Sequence, residues 1–286
     1  VTLLQIVNDN KPFLLDSTLA ELESGGRDPL FVIHPILGVE RTQDGAFVRM
    51  ASESSGLQGT HRESLIEIVL DRIDDEGPRA DLVRSLERVF DAVNAAVRDW
   101  SAMRTRIAEA VRAWRNDPPP IDAAELAEAE AFLDWMLDDH FTLLGVREYR
   151  FPAGDVAADP VEGTGLGILA DPALNVLRKG RELVAMTPEV RAFLSEPVPL
   201  IIAKASVKSL IHRRVHMDYV GVKLFASDGT VVGELRVIGL FTASAYTDTV
   251  DEIPVIRRKA AAVGDDLVHG RGDRGVVDAD HDDVVR

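Results

Sequence analysis

The sequence predicts an α+β protein in which two mainly antiparallel sheets are joined by a helical connector. Three observations lead there. Short runs of branched apolar residues with a period of two lie toward both ends of the chain. A long stretch of helical period separates them. The clearest turn signal, Ser227-Asp228-Gly229-Thr230, links two alternating runs as a hairpin. With 286 residues, 46% of them hydrophobic, the chain is long enough for two ordinary domains, each with its own core.

The first module opens on an apolar strand, Leu3 to Val7. A helix from Phe13 to Ser24 follows, closed by Gly25-Gly26, a pair suited to a helix end. Leu30 to Val39 reads as a second strand and Ala46 to Met50 as a third. Leu65 to Ile73 is a fourth, with Ile66, Ile68 and Leu70 on one face. Leu82, Leu86, Val89, Val93 and Ala96 then repeat at helical spacing, which lays an apolar stripe on that sheet. This order predicts a ferredoxin-like sandwich over residues 1–99.

Residues 100–137 read as a helical connector broken at Asn116-Asp117-Pro118-Pro119-Pro120, where proline ends a helix. Asp122 and Glu125 form a capping arrangement for the next helix, which buries Leu126, Ala129, Leu133 and Met136. A second α+β module is expected over 138–263. It contains the strand after His140, the Tyr219–Phe241 hairpin, and a helix Ile253–Val263 capped by Thr249 or Asp251. Residues 264–286 lack either period and are expected to be a disordered tail. The chain begins directly on a strand, as a segment from inside a longer protein would.

The formal net charge of −16 opposes contact with nucleic-acid phosphates, and no basic patch overrides it. The absence of cysteine excludes a disulfide framework, a thiolate zinc site and a cysteine nucleophile, and points to the cytoplasm. No apolar run reaches the roughly 20 residues of a membrane span. Gly163-Thr164-Gly165-Leu166-Gly167-Ile168 fails as a dinucleotide cradle, because its third glycine comes too early and Ile168-Leu169 reads as strand. His212 and His216 are four apart but lie in a stretch read as extended, too far apart to share a metal. Asp138-Asp139-His140 is the one acidic-histidine cluster that could serve as acid and base, and solvation and turn chemistry at a helix end explain it better. No catalytic set and no metal site is expected.

Five stretches carry a resemblance: QIVNDNKPFLLDS (5–17), FVIHPILGV (31–39), FLDWMLDDHFTLLGVREY (132–149), HMDYVGVKLF (216–225) and GELRVIGLFTASAYTDTVDEIPVIRRK (233–259). Together they resemble the amino-terminal region of the large bacterial NAD-specific glutamate dehydrogenases. The resemblance implies ACT-like modules and helical connectors, placed ahead of a catalytic domain that oxidatively deaminates L-glutamate to 2-oxoglutarate with NAD. The catalytic residues and NAD site belong to that later domain, so no cofactor is expected here. The implied role is regulation or oligomerisation, with the remainder of the dehydrogenase chain, further copies of the chain and a small amino-acid effector as partners.

Two regions are the expected ligand contacts. The first is the loop Asn8, Asp9, Asn10, Lys11 and Pro12 at a strand-to-helix junction, where helix-terminal N–H groups are available; helix initiation capped by Asp9 or Asp16 explains it as well. The second is Lys204, His212, Arg213, Asp218, Tyr219, Lys223 and Arg236 among the strands, which cross-strand pairing also explains. Two alternatives stay open. One is a free-standing enzyme using Asp139, His140, His212 and His216; the other is a purely structural oligomerisation segment.

Overall fold

The computed structural model describes residues 1–51, 61–151, 158–174, 176, 198–258 and 260–261. The expected tail at 264–286 lies outside them.

In the first module, β1 (Thr2–Asp9) leads through α1 (Leu14–Ser24) to β2 (Phe31–Ile33), β3 (Ile36–Arg41), β4 (Phe47–Met50) and β5 (His61–Leu70). The sheet order is β1-β5-β3-β4, with β2 also on β5, and every pairing is antiparallel. The single strand expected over 30–39 is two strands, because Pro35 has no N–H to continue the ladder between them. Leu4 and Ile6 sit opposite Ile68 and Ile66, and this face meets α1 and the stripe of Leu82, Leu86, Val89, Val93 and Ala96. The other face leaves Leu3, Val7, Phe31, Ile33 and Met50 more than two-fifths exposed.

That stripe belongs to α2 (Glu76–Asn116), one helix of 41 residues that runs through position 99 without interruption. Its second half turns Met103, Ile107, Val111 and Trp114 onto a different sheet. Asp117 closes the helix ahead of the three prolines. The next helix, α3 (Ala123–Trp135), starts where Asp122 accepts the Glu125 N–H at 3.0 Å. Replacing Asp122 with alanine is expected to cost about 1 kcal/mol of stability in urea unfolding, the usual value of such a cap. One turn of π-helix, Met136–His140, then carries the chain into the second sheet.

The second sheet comprises β6 (Phe141–Arg150), β7 (Asp159–Pro160), β8 (Leu166–Gly167), β9 (Leu200–Lys208), β10 (His216–Phe225) and β11 (Val231–Phe241), in the antiparallel order β7-β6-β11-β10-β9 with β8 also on β6. The β10–β11 hairpin closes at the expected turn, where Gly229 takes φ 83 and Asp228 accepts the Thr230 N–H at 2.9 Å. Ile168–Ala170 is a 3₁₀ turn, not the expected strand, because Gly167 before it adopts a left-handed conformation that ends β8. Residues 209–215 form a loop between β9 and β10 where extended chain was expected, and His212 at φ 66 turns it. A short helix α4 (Ala243–Thr247) follows β11. Thr249 caps a 3₁₀ turn, Val250–Glu252, with helix resuming only at residue 256 rather than running from 253.

One face of the second sheet packs Val146, Val220, Val222, Leu235 and Val237 against α3 and the far half of α2. The opposite face contributes Leu144, Tyr219, Ile238 and Leu240 to the core that also holds the first module. The α1 helix and the 209–215 loop are tied directly: the Ser17 hydroxyl accepts the His212 N–H at 2.8 Å, and Arg214 pairs with Glu21. No described helix is long and apolar enough to cross a membrane.

Candidate ligand site

The loop following β1 ends at Phe13, whose φ of 70 is left-handed and costs a bulky residue of order 1–2 kcal/mol. Across from it, Asp139 in the π-helical turn has φ 59. Both residues line the same cleft of about 360 Å³ between the two modules. Its walls are Pro12 and Phe13 from the first module, Ala96, Val97 and Trp100 from the middle of α2, and Phe141, Thr142, Leu143 and Thr242 from the second sheet. Left-handed non-glycine residues and π-turns concentrate where function over-determines the backbone.

The Asp139 turn is held by its own carbonyl, which accepts the Thr242 hydroxyl at 2.8 Å and the Ser244 hydroxyl at 3.3 Å. Its carboxylate is exposed and has no hydrogen-bond or ion-pair partner among the described residues. The cleft therefore offers an apolar body lined also by Asp139 and Thr142, a surface suited to a small molecule with an apolar part and a cationic or donor group. Glycine at 139 relieves the backbone strain, so Asp139→Gly is expected to leave stability unchanged or raise it by up to about 1 kcal/mol, while weakening whatever the carboxylate holds. Calorimetric unfolding compared with ligand titration reads the two effects separately.

Of the loop residues expected to touch ligand, Pro12 lines the cleft, while Asn8, Asp9 and Asn10 do not. Lys11 does not line it either, its Nζ lying 2.8 Å from Asn94 Oδ1 on α2 and 3.4 Å from Asp9. Neither Asp9 nor Asp16 caps α1, since its N-cap is Phe13 and no side chain serves there. His212 lies behind Phe13, ring centroids 5.8 Å apart, with Nδ1 3.3 Å from Asp16. Arg213 donates to the Phe241 carbonyl at 2.7 Å. Lys204 pairs at 2.5 Å with the buried Asp218 opposite it across β9 and β10.

The four suspects for independent catalysis do not converge. His140 stacks on Trp135, with Nε2 3.1 Å from Asp248; His216 Nδ1 meets the Ala205 carbonyl at 3.0 Å; His212 Nδ1 lies 3.3 Å from Asp16. Among the described residues no group of three or more histidines and carboxylates could hold a metal.

Tyr219, Lys223 and Arg236 do come together, in a buried row on the second sheet. They are joined there by Arg147, Tyr149 and Glu234, which the sequence did not single out. Glu234 contacts Arg236 at 2.6 Å and Lys223 at 3.6 Å, and Arg236 lies 3.7 Å over the Tyr149 ring. Burial, reinforced by the Glu234 carboxylate, pushes the Tyr219 phenol well above its ordinary value, and burial lowers the Lys223 amine.

Residues 1–86 match the family model described as glutamate dehydrogenase, ACT1 domain. The chain is 32% identical over 271 residues to the NAD-specific glutamate dehydrogenase of Halomonas elongata, covering 92% of this chain and 16% of that protein. It is 30% identical over 266 residues to the Pseudomonas aeruginosa enzyme of the same name, with coverage of 92% and 16%. With the Mycobacterium tuberculosis enzyme of that name the identity is 26% over 257 residues, covering 90% and 15%. The chain thus spans well under a fifth of the length of these relatives.

Proposed function

Because the chain belongs to the NAD-specific glutamate dehydrogenase family and carries its ACT1 domain over residues 1–86, we propose that it is the regulatory and assembly region of such an enzyme, sensing a small amino acid. The parent reaction, oxidative deamination of L-glutamate with NAD, then belongs to the rest of the dehydrogenase chain, which is its first partner. The observation that carries this reading is the cleft between the modules, where Phe13 and Asp139 both hold left-handed backbone against one apolar pocket. An effector with an ammonium group at Asp139 and an apolar side chain toward Phe13 and Trp100 would fit it, and by gripping both modules would bias their arrangement. Assembly through further copies draws support from the exposed apolar face of the first sheet, with Leu3, Val7, Phe31 and Met50.

The test is a thermal-shift screen of the chain against individual amino acids and NAD, with NADH formation recorded on the same samples. A ligand at a hundred times its dissociation constant stabilises by about 2.7 kcal/mol. Stabilisation by an apolar amino acid, lost in Trp100→Ala and without turnover, supports sensing in the cleft. No response to any amino acid leaves assembly alone as the role, and NAD-dependent turnover by this chain overturns the reading.

A further inference from the structure

A second cavity, of about 340 Å³, lies between α3 and β9, the last strand in the order of the second sheet. Its floor is apolar. Leu200 and Ile202, two apart and therefore on one face of β9, meet Ala129 of α3 and Val255 there. Ala129, Leu200 and Val255 also belong to the core beneath α3, which anchors the floor, while Ile202 stays 39% exposed.

Three charged side chains line the same cavity, Glu125, Glu128 and Arg258. Glu128 is engaged: it accepts from Arg257 at 2.7–3.1 Å and from the Val255 N–H at 2.9 Å. That clamp holds Val255 at φ 68, left-handed backbone that is an outlier for a β-branched residue. Such strain persists where the surroundings over-determine it, as at ligand clamps. The other two side chains are not engaged. The half-buried Glu125 carboxylate has no hydrogen bond or ion pair among the described residues. The Arg258 guanidinium makes no hydrogen bond there, standing 4.0 Å from Asp122 and feeling Glu128 only through its field.

A lone cation entering this cavity would meet Arg258, and a lone anion would meet Glu125. A molecule with both charges answers both, since the guanidinium fork matches a carboxylate and the free carboxylate takes an ammonium. The volume, near the lower end for ligand pockets, limits the occupant to a small one. We infer that the cavity binds an α-amino acid with a branched aliphatic side chain, its carboxylate on Arg258, its ammonium on Glu125 and its side chain on Leu200, Ile202 and Val255. The site is separate from the cleft at Phe13 and Asp139, whose lining holds no cation, and does not rest on that reading.

Methyl-labelled leucine, isoleucine and valine in the 286-residue chain let NMR follow the floor through Leu200, Ile202 and Val255. The titrants are L-leucine, 3-methylbutylamine, which lacks the carboxylate, and 4-methyl-2-oxopentanoate, which lacks the ammonium. Saturable shifts of these methyls with L-leucine are expected, at an apparent Kd at least about tenfold below that for either analogue, the worth of one charge-assisted hydrogen bond. Arg258→Gln and Glu125→Gln remove charges whose side chains make no hydrogen bond among the described residues. Both variants are therefore expected to fold, and each to weaken L-leucine binding by about tenfold or more. Trp100→Ala is expected to leave the floor shifts in place while abolishing any response in the cleft, so the two sites succeed or fail separately. Absence of a saturable floor shift with L-leucine, equal affinity for either analogue, or undiminished affinity in either charge variant would overturn the inference.

Discussion

Alanine at Glu234 is expected to lower the unfolding free energy of the chain by about 3–5 kcal/mol, the cost of leaving buried cations without their carboxylate. Glu234 is fully enclosed and is the carboxylate that contacts both Arg236 and Lys223 among the described residues. Removing it strips Arg236 of its ion pair while Arg147 still stands opposite in the row. The double replacement Glu234→Ala with Arg236→Met is expected to recover part of the loss, since taking out both members of a buried pair costs far less than taking out one. Urea unfolding of the single and double variants measures this. A single-variant loss below about 1 kcal/mol would contradict the buried-pair account and match an exposed pair instead.

Phe132→Ala is expected to cost about 3–5 kcal/mol, through lost transfer energy and the void left behind. Phe132 is 1% exposed and lies where α3 meets the second sheet, with ring centroids 5.6 Å from Trp135 and 6.5 Å from Phe241. Phe132→Leu keeps most of the volume and is expected to lose less than about 1.5 kcal/mol. Because Trp135 in turn stacks on His140 at 4.5 Å, the alanine variant should also loosen the turn that presents Asp139. Tryptophan fluorescence recorded along the same unfolding curves tests that coupling, since a loosened turn changes the Trp135 emission before the main transition.

Much of the fold was legible because its signals are local. Ile66, Ile68 and Leu70 alternate into the core, the Leu82 to Ala96 stripe lies on the first sheet, and Asp122 caps α3. Asp-Gly at 228–229 makes the hairpin turn. What failed was local as well, where competing rules met. Pro35 split one apolar run into two strands, Gly167 turned a predicted strand into a 3₁₀ turn, and His212 took a positive φ inside an otherwise extended pattern. The candidate sites were less legible because they are built from distant residues. Pro12 and Asp139 were noticed separately, but nothing in the sequence places them across from one another. Phe13 was missed because a phenylalanine carries no signal for left-handed backbone. Arg147 had one available signal: it and Tyr149 alternate with Val146 and Glu148 in a strand buried along most of its length, which already puts a charge indoors.

The unbroken α2 has a mechanical consequence. At about 1.5 Å per residue its 41 residues make a lever about 60 Å long. The first sheet loads one arm and the second sheet the other, and Ala96, Val97 and Trp100, which floor the cleft, lie near the midpoint. An occupant there would press at the fulcrum. A tilt of about 5° about that point carries either end of a lever this long through about 2–3 Å, so a change too small to notice inside the cleft becomes a shift comparable to an atomic diameter at the helix ends.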